Sequence, residues 1–271
     1  MYRNLLPTLK QLACDAGDVI MHIYQDPTHW NTQQKSNNTP VTAADLAAHK
    51  LLVEGLQQLT PDIPILSEEA EIPDWQQRQH WPRYWLLDPL DGTREFLHRN
   101  GEFTVNIALI EAGQTQLGIV YAPDSETLYW GSPAIGAWKS QRLEAGTAIH
   151  TRSVEGTLTL LTSRRHSQHE SEAIGQLLPA DASNITTQCL GSSLKLCRIA
   201  EGQADLYLRL SPTSEWDTAA GQAILEAAGG ELLQLPELNT LSYNSKASLE
   251  NPGFIASGQK RLDWRPLLLS D

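Results

Sequence analysis

The residues best placed to do chemistry are two aspartates three positions apart, Asp88 and Asp91. They follow the apolar run 84–87, Pro89 stiffens the turn between them, and Gly92 comes directly afterwards. Such a turn can direct two carboxylates and an intervening carbonyl to one place, which is the oxygen cluster that a hard cation such as Mg²⁺ requires. The alternative is an ordinary acidic turn, because the chain contains 32 acidic residues.

The turn continues into residues that could bind an anion. If Gly92 and Thr93 open a short helix toward His98, their amide groups have no partner inside that helix. Amides in this position can donate hydrogen bonds to a phosphate oxygen.

Two further acids, Glu68 and Glu69, also follow a predicted strand, the apolar run 63–66. Two strand ends that both carry acids suggest one shared rim of carboxylates. The alternative is that Glu68 and Glu69 are solvated, as unplaced acidic pairs usually are.

Two more aspartates lie near predicted helix starts, and each has two interpretations. Asp45 is the third residue after Thr42, which resembles a capping box, and Asp217 follows Ser214 at the same spacing. Each acid could stabilise its helix start through the cap and the helix dipole, or it could serve an active site. Position alone does not choose between these roles.

The bulk composition limits the classes of function. A net charge of −12 over 271 residues argues against binding a nucleic-acid polymer, which requires clustered positive potential. Three cysteines form neither a disulfide framework nor a zinc pattern, and no run of about 20 apolar residues is present to cross a bilayer. We predict a cytoplasmic protein. Peripheral association with the inner membrane and the oligomeric state stay open.

Hydrophobic spacing predicts the secondary structure of the first half. Helices are expected over residues 4–24 and 42–59, separated by a loop or short hairpin. A buried strand over 84–88 is followed by a meander of strands over 103–111, 116–121 and 127–130.

The second half alternates strands and helices, which indicates an α/β arrangement. Strands are predicted over 157–162, 185–189, 205–210 and 231–235, and helices over 168–178, 193–201 and 215–228. The polar stretch 141–153 is the best candidate for a junction. We therefore expect an N-terminal α+β domain over residues 1–145 and a C-terminal α/β domain over residues 146–271.

Three motifs together resemble the inositol monophosphatase superfamily of Mg²⁺-dependent, Li⁺-sensitive phosphatases. They are Ser67-Glu-Glu, Asp88-Pro-Leu-Asp-Gly-Thr93 and Trp216-Asp-Thr-Ala-Ala-Gly221, in the family's order and with similar spacing. The resemblance covers nearly the whole chain. It implies a layered αβαβα fold, an α+β half followed by an α/β half, with the active site at their junction.

The resemblance also implies site roles. Two or three Mg²⁺ ions would be coordinated by five groups: Glu68, Asp88, the carbonyl oxygen of Leu90, Asp91 and Asp217. The amides of Gly92 and Thr93 would hold the scissile phosphate. The Thr93 hydroxyl, oriented by Asp45, would activate the attacking water, so Asp45, Thr93 and Glu68 are the expected catalytic residues. Asp45 lies in Pro40-Val-Thr-Ala-Ala-Asp45, which matches an early signature of the family and favours catalyst over cap.

Within the superfamily, the chain is most similar to bacterial 3′(2′),5′-bisphosphate nucleotidases, which convert adenosine 3′,5′-bisphosphate to AMP. Inositol monophosphatases usually have Thr-Asn-Phe where this chain has Thr93-Arg-Glu-Phe96, and an apolar residue at Lys195. The resemblance places adenosine contacts near Ser163 and His166. Lys195, with Ser192 and Ser193 at a helix start, could meet the second phosphate. The substrate would also contact residues of the metal site, namely Glu68, Leu90, Asp91, Gly92, Thr93 and Asp217.

Two alternative functions stay open. The first is an inositol or other sugar monophosphatase on the same scaffold. The second, from another class, is a non-catalytic sensor of metal or nucleotide. A complete set of metal ligands together with Asp45 and Thr93 speaks against the sensor, which would not need a pair that activates water.

Overall fold

The computed structural model describes residues 2–35, 40–153, 157–164 and 185–258. Six α-helices lie within these ranges: α1 Leu6–Gln25, α2 Ala43–Leu59, α3 Trp75–Arg78, α4 Thr93–Leu97, α5 Leu194–Ala200 and α6 Glu215–Ala227. None of the helices in these ranges is both long and apolar enough to span a bilayer.

The larger sheet has seven strands in chain order, of which only the first pair is parallel. Its strands are β3 Ile65–Ser67, β4 Arg83–Asp91, β5 Thr104–Glu111, β6 Gln114–Ala122, β7 Thr127–Ser132, β8 Gly136–Gln141 and β9 Thr147–Ile149. A separate two-stranded hairpin, β1 Gln33–Gln34 with β2 Pro40–Val41, precedes it. Because β3 and β4 run in the same direction, their acid-bearing ends lie at one edge.

The second sheet has five strands in the order β11, β10, β12, β14, β13. Its strands are β10 Leu158–Thr162, β11 Ile185–Cys189, β12 Leu206–Arg209, β13 Glu231–Gln234 and β14 Phe254–Ser257. The strands β10, β11 and β12 are parallel, whereas β14 is antiparallel to both of its neighbours.

The layers follow from how apolar side chains alternate across the larger sheet. In β4, Trp85 and Leu87 pack with α1 and α2, whereas Tyr84 and Leu86 face a second core shared with α5, α6 and the five-stranded sheet. A strand buried on both faces lacks the alternation of apolar and polar residues, as residues 84–87 of β4 show. The five-stranded sheet has a third apolar cluster on its other face. Helices α1 and α2, the larger sheet, helices α5 and α6, and the five-stranded sheet are thus four layers of the predicted fold. The helix expected over 168–178 lies outside the described residues.

Helix α6 lies between the two sheets and is buried on nearly every side. Its small residues allow a very close approach, because a Cβ atom on Gly118 of β6 would lie 2.1 Å from the carbonyl oxygen of Ala220. At Gly131 of β7, an added Cβ would lie 2.8 Å from the Cα of Ile224. This contact fixes the depth of the helix whose first turn carries Asp217.

The sequence predictions are confirmed for most elements of the first half. The two long helices, the hairpin, the strand before Asp88 and the meander are all present. The prediction missed α3 and β8, and it treated residues 141–153 as a polar junction. Within that stretch, Thr147–Ile149 form β9 and pair with β8, a strand that the prediction did not include.

In the second half, the predicted strands β10 to β13 and helices α5 and α6 are present, and Gly229 ends α6 with a φ of +106°. The prediction missed β14, which lies between β12 and β13, so the sheet is mixed. The change from one sheet to the other falls between Ile149 and Leu158, a few residues after the proposed boundary at 145. The division into two domains stays a prediction, and one core is shared by both halves.

We expect Gly118→Ala to destabilise the protein by about 2–3 kcal/mol, because backbone of α6 blocks the added methyl group and cores resist overpacking. Gly55→Ala is the matched control. There the three atoms nearest to the added Cβ all belong to the side chain of Leu12 and not to backbone, and alanine favours the surrounding helix by about 1 kcal/mol. Urea unfolding of both variants measures the difference. Equal stabilities would contradict the close packing of α6.

Candidate metal and phosphate site

Three carboxylates from two distant parts of the chain meet at one point. Asp88 and Asp91 lie at the end of β4, and Asp217 lies in the first turn of α6. One oxygen of each lies within 4.8 Å of the others. Asp88 has only 1% of its surface exposed. The structure thus assembles the acidic pair seen in the sequence with the third acid about 130 positions later.

The cluster is electrostatically unfavourable without a cation. Burial raises the pKa of Asp88 well above its ordinary value, and repulsion from Glu68, Asp91 and Asp217 adds to this effect. Burial and repulsion from Asp91 and Glu68 also raise the pKa of Asp217 well above its ordinary value. Hard oxygen donors at this spacing fit a divalent ion such as Mg²⁺, which would offset the repulsion among them.

Asp45 and Asp217 are helix caps and site residues at the same time. Oδ2 of Asp45 accepts hydrogen bonds from the Thr42 amide at 2.8 Å and the Thr42 hydroxyl at 2.6 Å. Oδ1 accepts the Thr93 hydroxyl at 3.0 Å. Likewise, Oδ2 of Asp217 accepts the Ser214 amide at 2.9 Å. The two interpretations left open by the sequence are therefore compatible, because a carboxylate has two oxygens.

The turn between Asp91 and Thr93 depends on a glycine. Gly92 has a φ of +93°, and an added Cβ would lie 3.0 Å from the carbonyl oxygen of Glu102. Helix α4 begins directly after it, at Thr93. The Thr93 hydroxyl also lies 3.4 Å from the carbonyl oxygen of Leu90, so this carbonyl faces the same side of the turn.

Glu68 lies beside the three carboxylates but outside the cluster that they form. Its Oε1 accepts a hydrogen bond from Lys35 Nζ at 2.8 Å, and Oε1 of Glu69 accepts one at 2.6 Å. Burial raises the pKa of Glu69 to about 7, although the hydrogen bond from Lys35 opposes this. Glu69 is thus a buried partner of Lys35, a residue that the sequence analysis did not identify.

A cavity of about 190 Å³ opens beside the acids, between the two sheets. Six residues predicted for the site line it: Asp91, Gly92, Ser163, Ser192, Lys195 and Asp217. Arg164 and Arg209 line it as well. Predicted residue His166 lies outside the described residues. The cavity therefore combines an acidic end with a basic end.

The basic end is fixed by hydrogen bonds. Lys195 Nζ donates to the carbonyl oxygens of Ser192 at 2.8 Å and Leu190 at 3.1 Å. It also lies 5.2 Å from the centre of the Tyr207 ring. Burial lowers the pKa of Lys195 to about 8, although attraction by Asp91 opposes this shift.

Ser163, Arg164 and Arg209 line the same cavity as Lys195. Arg209 donates to the Ser163 hydroxyl at 2.7 Å. Arg164 is paired with Glu102 through Nε at 3.0 Å, and Glu102 also accepts the Gly191 amide at 2.7 Å. The pairing with Glu102 thus holds the Arg164 side chain in place in the lining of the cavity.

Besides Lys35, the sequence-based prediction missed Asn106, and it treated Ser193 only as part of a helix start that could meet a phosphate. Ser193 donates its amide to Asp91 Oδ2 at 2.6 Å, and Asn106 donates to the Ser193 hydroxyl at 2.8 Å. Asn106 is 1% exposed in the centre of apolar strand β5. A single amide inside an apolar strand was the available clue, since a buried polar group requires a partner.

Comparisons with known proteins agree with this site. A profile of the inositol monophosphatase family matches residues 1–265. The chain belongs to this family. The 3′(2′),5′-bisphosphate nucleotidase CysQ of Salmonella typhimurium is 49% identical over 253 residues, covering 92% of this chain and 98% of that protein. The Escherichia coli protein of the same name is 48% identical over 256 residues, covering 93% and 99%.

A solved structure has the same fold as this chain. The crystal structure of CysQ from Bacteroides thetaiotaomicron matches with a TM-score of 0.84 at 37% identity, covering 97% of this chain and 99% of that chain. The family resemblance and the layered α/β fold class predicted from the sequence are confirmed. The roles of individual site residues stay predictions.

We expect Asp88→Asn to separate stability from metal binding. In EDTA the variant should melt at a higher temperature than the wild type, because one buried charge of a repelling cluster is removed. Saturating Mg²⁺ should raise the wild-type melting temperature by about 5 °C and should raise that of the variant much less.

Asp205→Asn is the control for this experiment. Asp205 is also buried, but its carboxylate pairs with Arg152 at 2.7 Å and accepts the Thr159 amide at 2.7 Å. We expect that variant to lose stability in EDTA and to keep the response to Mg²⁺. An unchanged response to Mg²⁺ in Asp88→Asn would contradict the metal assignment.

Proposed function

We propose that this chain is a Mg²⁺-dependent 3′(2′),5′-bisphosphate nucleotidase that hydrolyses adenosine 3′,5′-bisphosphate to AMP and phosphate. The observation that carries the proposal is a buried acidic cluster that opens into a cavity whose other end is basic. Relatives that are 48–49% identical over more than nine-tenths of the chain carry the name of this activity.

The metal-holding residues in this proposal are those of the acidic cluster and its neighbours. They are Asp88, Asp91 and Asp217, with Glu68 and the carbonyl oxygen of Leu90. Bound Mg²⁺ would supply positive charge to activate water and to neutralise the phosphate oxygens, through two or three ions. We further propose that Li⁺ inhibits the enzyme, as the family resemblance implies.

The chain's own contribution to water activation is the pair of Thr93 and Asp45. The Thr93 hydroxyl has one proton, and Asp45 Oδ1 at 3.0 Å is a better acceptor than the Leu90 carbonyl at 3.4 Å. Because Thr42 fixes the other oxygen of Asp45, the carboxylate cannot turn away. The Thr93 oxygen is then oriented to take a proton from the attacking water while its own proton passes to Asp45 Oδ1.

The basic end of the cavity explains a substrate with two phosphates. The protein has a net charge of −12, so an anionic ligand needs a local concentration of positive charge. Lys195 supplies it, and Ser192 and Ser163 supply hydroxyl groups beside it. In this arrangement the scissile phosphate occupies the acidic end near Gly92 and Thr93, and the second phosphate occupies the basic end.

The proposed location is the cytoplasm. Cys14, Cys189 and Cys197 are free thiols, which agrees with a reducing compartment. The substrate is a small molecule in this proposal, and no nucleic-acid polymer takes part.

The decisive assay compares Mg²⁺-dependent phosphate release from adenosine 3′,5′-bisphosphate, inositol 1-phosphate and fructose 1,6-bisphosphate. We expect kcat/KM to be at least tenfold higher for the nucleotide, activity to disappear in EDTA, and Li⁺ to inhibit. Preference for inositol 1-phosphate would refute the substrate assignment. Nucleotide binding without phosphate release would indicate a sensor instead of an enzyme.

We expect Thr93→Val, which keeps the shape of the side chain and removes its hydroxyl, to lower kcat by about 10² or more. Thr93→Ser retains the hydroxyl and should retain most of the activity. Steady-state kinetics at saturating Mg²⁺ measure both variants. If the valine variant turned over as fast as the serine variant, the hydroxyl would have no part in water activation.

A further inference from the structure

The residue that joins the acidic cluster to the cavity is Ser193, directly before α5. Its side chain is 3% exposed. The Ser193 hydroxyl lies 2.7 Å from Asp91 Oδ2 and 2.6 Å from the carbonyl oxygen of Asp217. These two acids are 102 and 24 positions away in the sequence. One hydroxyl therefore touches both parts of the chain that supply the carboxylates.

The hydroxyl itself is held in place by a third segment. Asn106 of β5 donates to it through Nδ2 at 2.8 Å, and the Thr104 hydroxyl donates to Asn106 Oδ1 at 2.9 Å. The bond from Thr104 fixes which end of the Asn106 amide faces Ser193, because an amide oxygen only accepts. All three side chains are buried, so solvent does not compete for these bonds.

The neighbouring backbone is strained, which indicates a fixed conformation. Ser192 has a φ of +48°, in the left-handed region that a residue with a side chain rarely adopts. The turn is held from both sides, by Glu102 on the Gly191 amide at 2.7 Å and by Asp91 on the Ser193 amide at 2.6 Å. Ser192 faces the cavity, while Ser193 faces the acids.

We propose that Ser193 is a positioning residue that sets the separation of Asp91 and Asp217 and thereby sets the affinity of the site for Mg²⁺. A hydroxyl has one proton, so it donates to one of the two oxygens at a time while Asn106 donates to it. Groups that orient ligands in this way typically contribute 10–100-fold to metal affinity. The inference rests on the proposed metal site and adds to it a residue that need not touch the ion.

The test measures Mg²⁺ affinity without substrate. Mg²⁺ is titrated against the wild type and Ser193→Ala, and the shift in melting temperature reports binding. The alanine variant keeps the hydrogen bond from the backbone amide of residue 193 to Asp91 and loses only the hydroxyl. We expect its affinity for Mg²⁺ to fall about tenfold. Ser193→Ala with wild-type affinity would overturn the proposal.

Ser140→Ala is the structural control. Ser140 is also buried, and its hydroxyl donates to the carbonyl oxygen of Arg142 at 2.7 Å, far from the acids in the sheet order. We expect it to lose stability without a change in Mg²⁺ affinity. If both serine variants lowered the affinity equally, the effect would be general destabilisation and the positioning role would be refuted.

A double-mutant cycle with Asn106→Ala tests whether the residues act together. We expect Asn106→Ala alone to weaken Mg²⁺ binding. The double variant should lower the affinity by less than the product of the fold-changes measured for Asn106→Ala and Ser193→Ala separately. Fully multiplicative effects would contradict a shared network. A wild-type protein that bound no Mg²⁺ would instead refute the metal-dependent function, and the role of Ser193 with it.

Discussion

The constraint on which the structure depends is the repulsion among three adjacent carboxylates, of which Asp88 is buried and Asp91 and Asp217 are half-buried. Desolvation raises the pKa of all three, and repulsion within the cluster raises the pKa of Asp88 and Asp217 further. Such a cluster opposes folding unless other interactions hold it together. The packing of α6 against glycines of the larger sheet offsets this repulsion. Close backbone contact fixes the position of the helix that carries Asp217.

The same carboxylates also serve the local structure. Asp217 closes the first turn of α6, Asp45 does so for α2, and an oxygen of Asp88 accepts the Leu90 amide at 3.1 Å. A helix start supplies free amides and partial positive charge, which makes it a favourable place for an acid. The hydrogen bonds within each turn therefore offset part of the repulsion that the carboxylate experiences from its neighbours. The catalytic arrangement and the ends of the secondary-structure elements are one set of interactions.

Most elements were predictable because their burial pattern is local. The long helices α1 and α2 have regular apolar spacing, and β4 is apolar on both faces. The short strands β9 and β14 were not predictable for the opposite reason. Three or four residues carry little periodicity of their own, and β14 is a strand because it pairs with β12 and β13, which lie 20 or more positions away in the sequence.

The sequence by itself determined the chemical types in the site: carboxylates at fixed spacing after strands, a glycine turn, and a lysine near a helix start. Only the tertiary structure decided how the atoms are shared. It assigns one oxygen of Asp45 to Thr42 and the other to Thr93, and it pairs Glu68 and Glu69 with Lys35. It also places the Ser193 hydroxyl between the Asp91 carboxylate and the main-chain carbonyl of Asp217. The physical reason is that local sequence sets backbone turns, whereas hydrogen bonds between distant segments depend on how the layers pack.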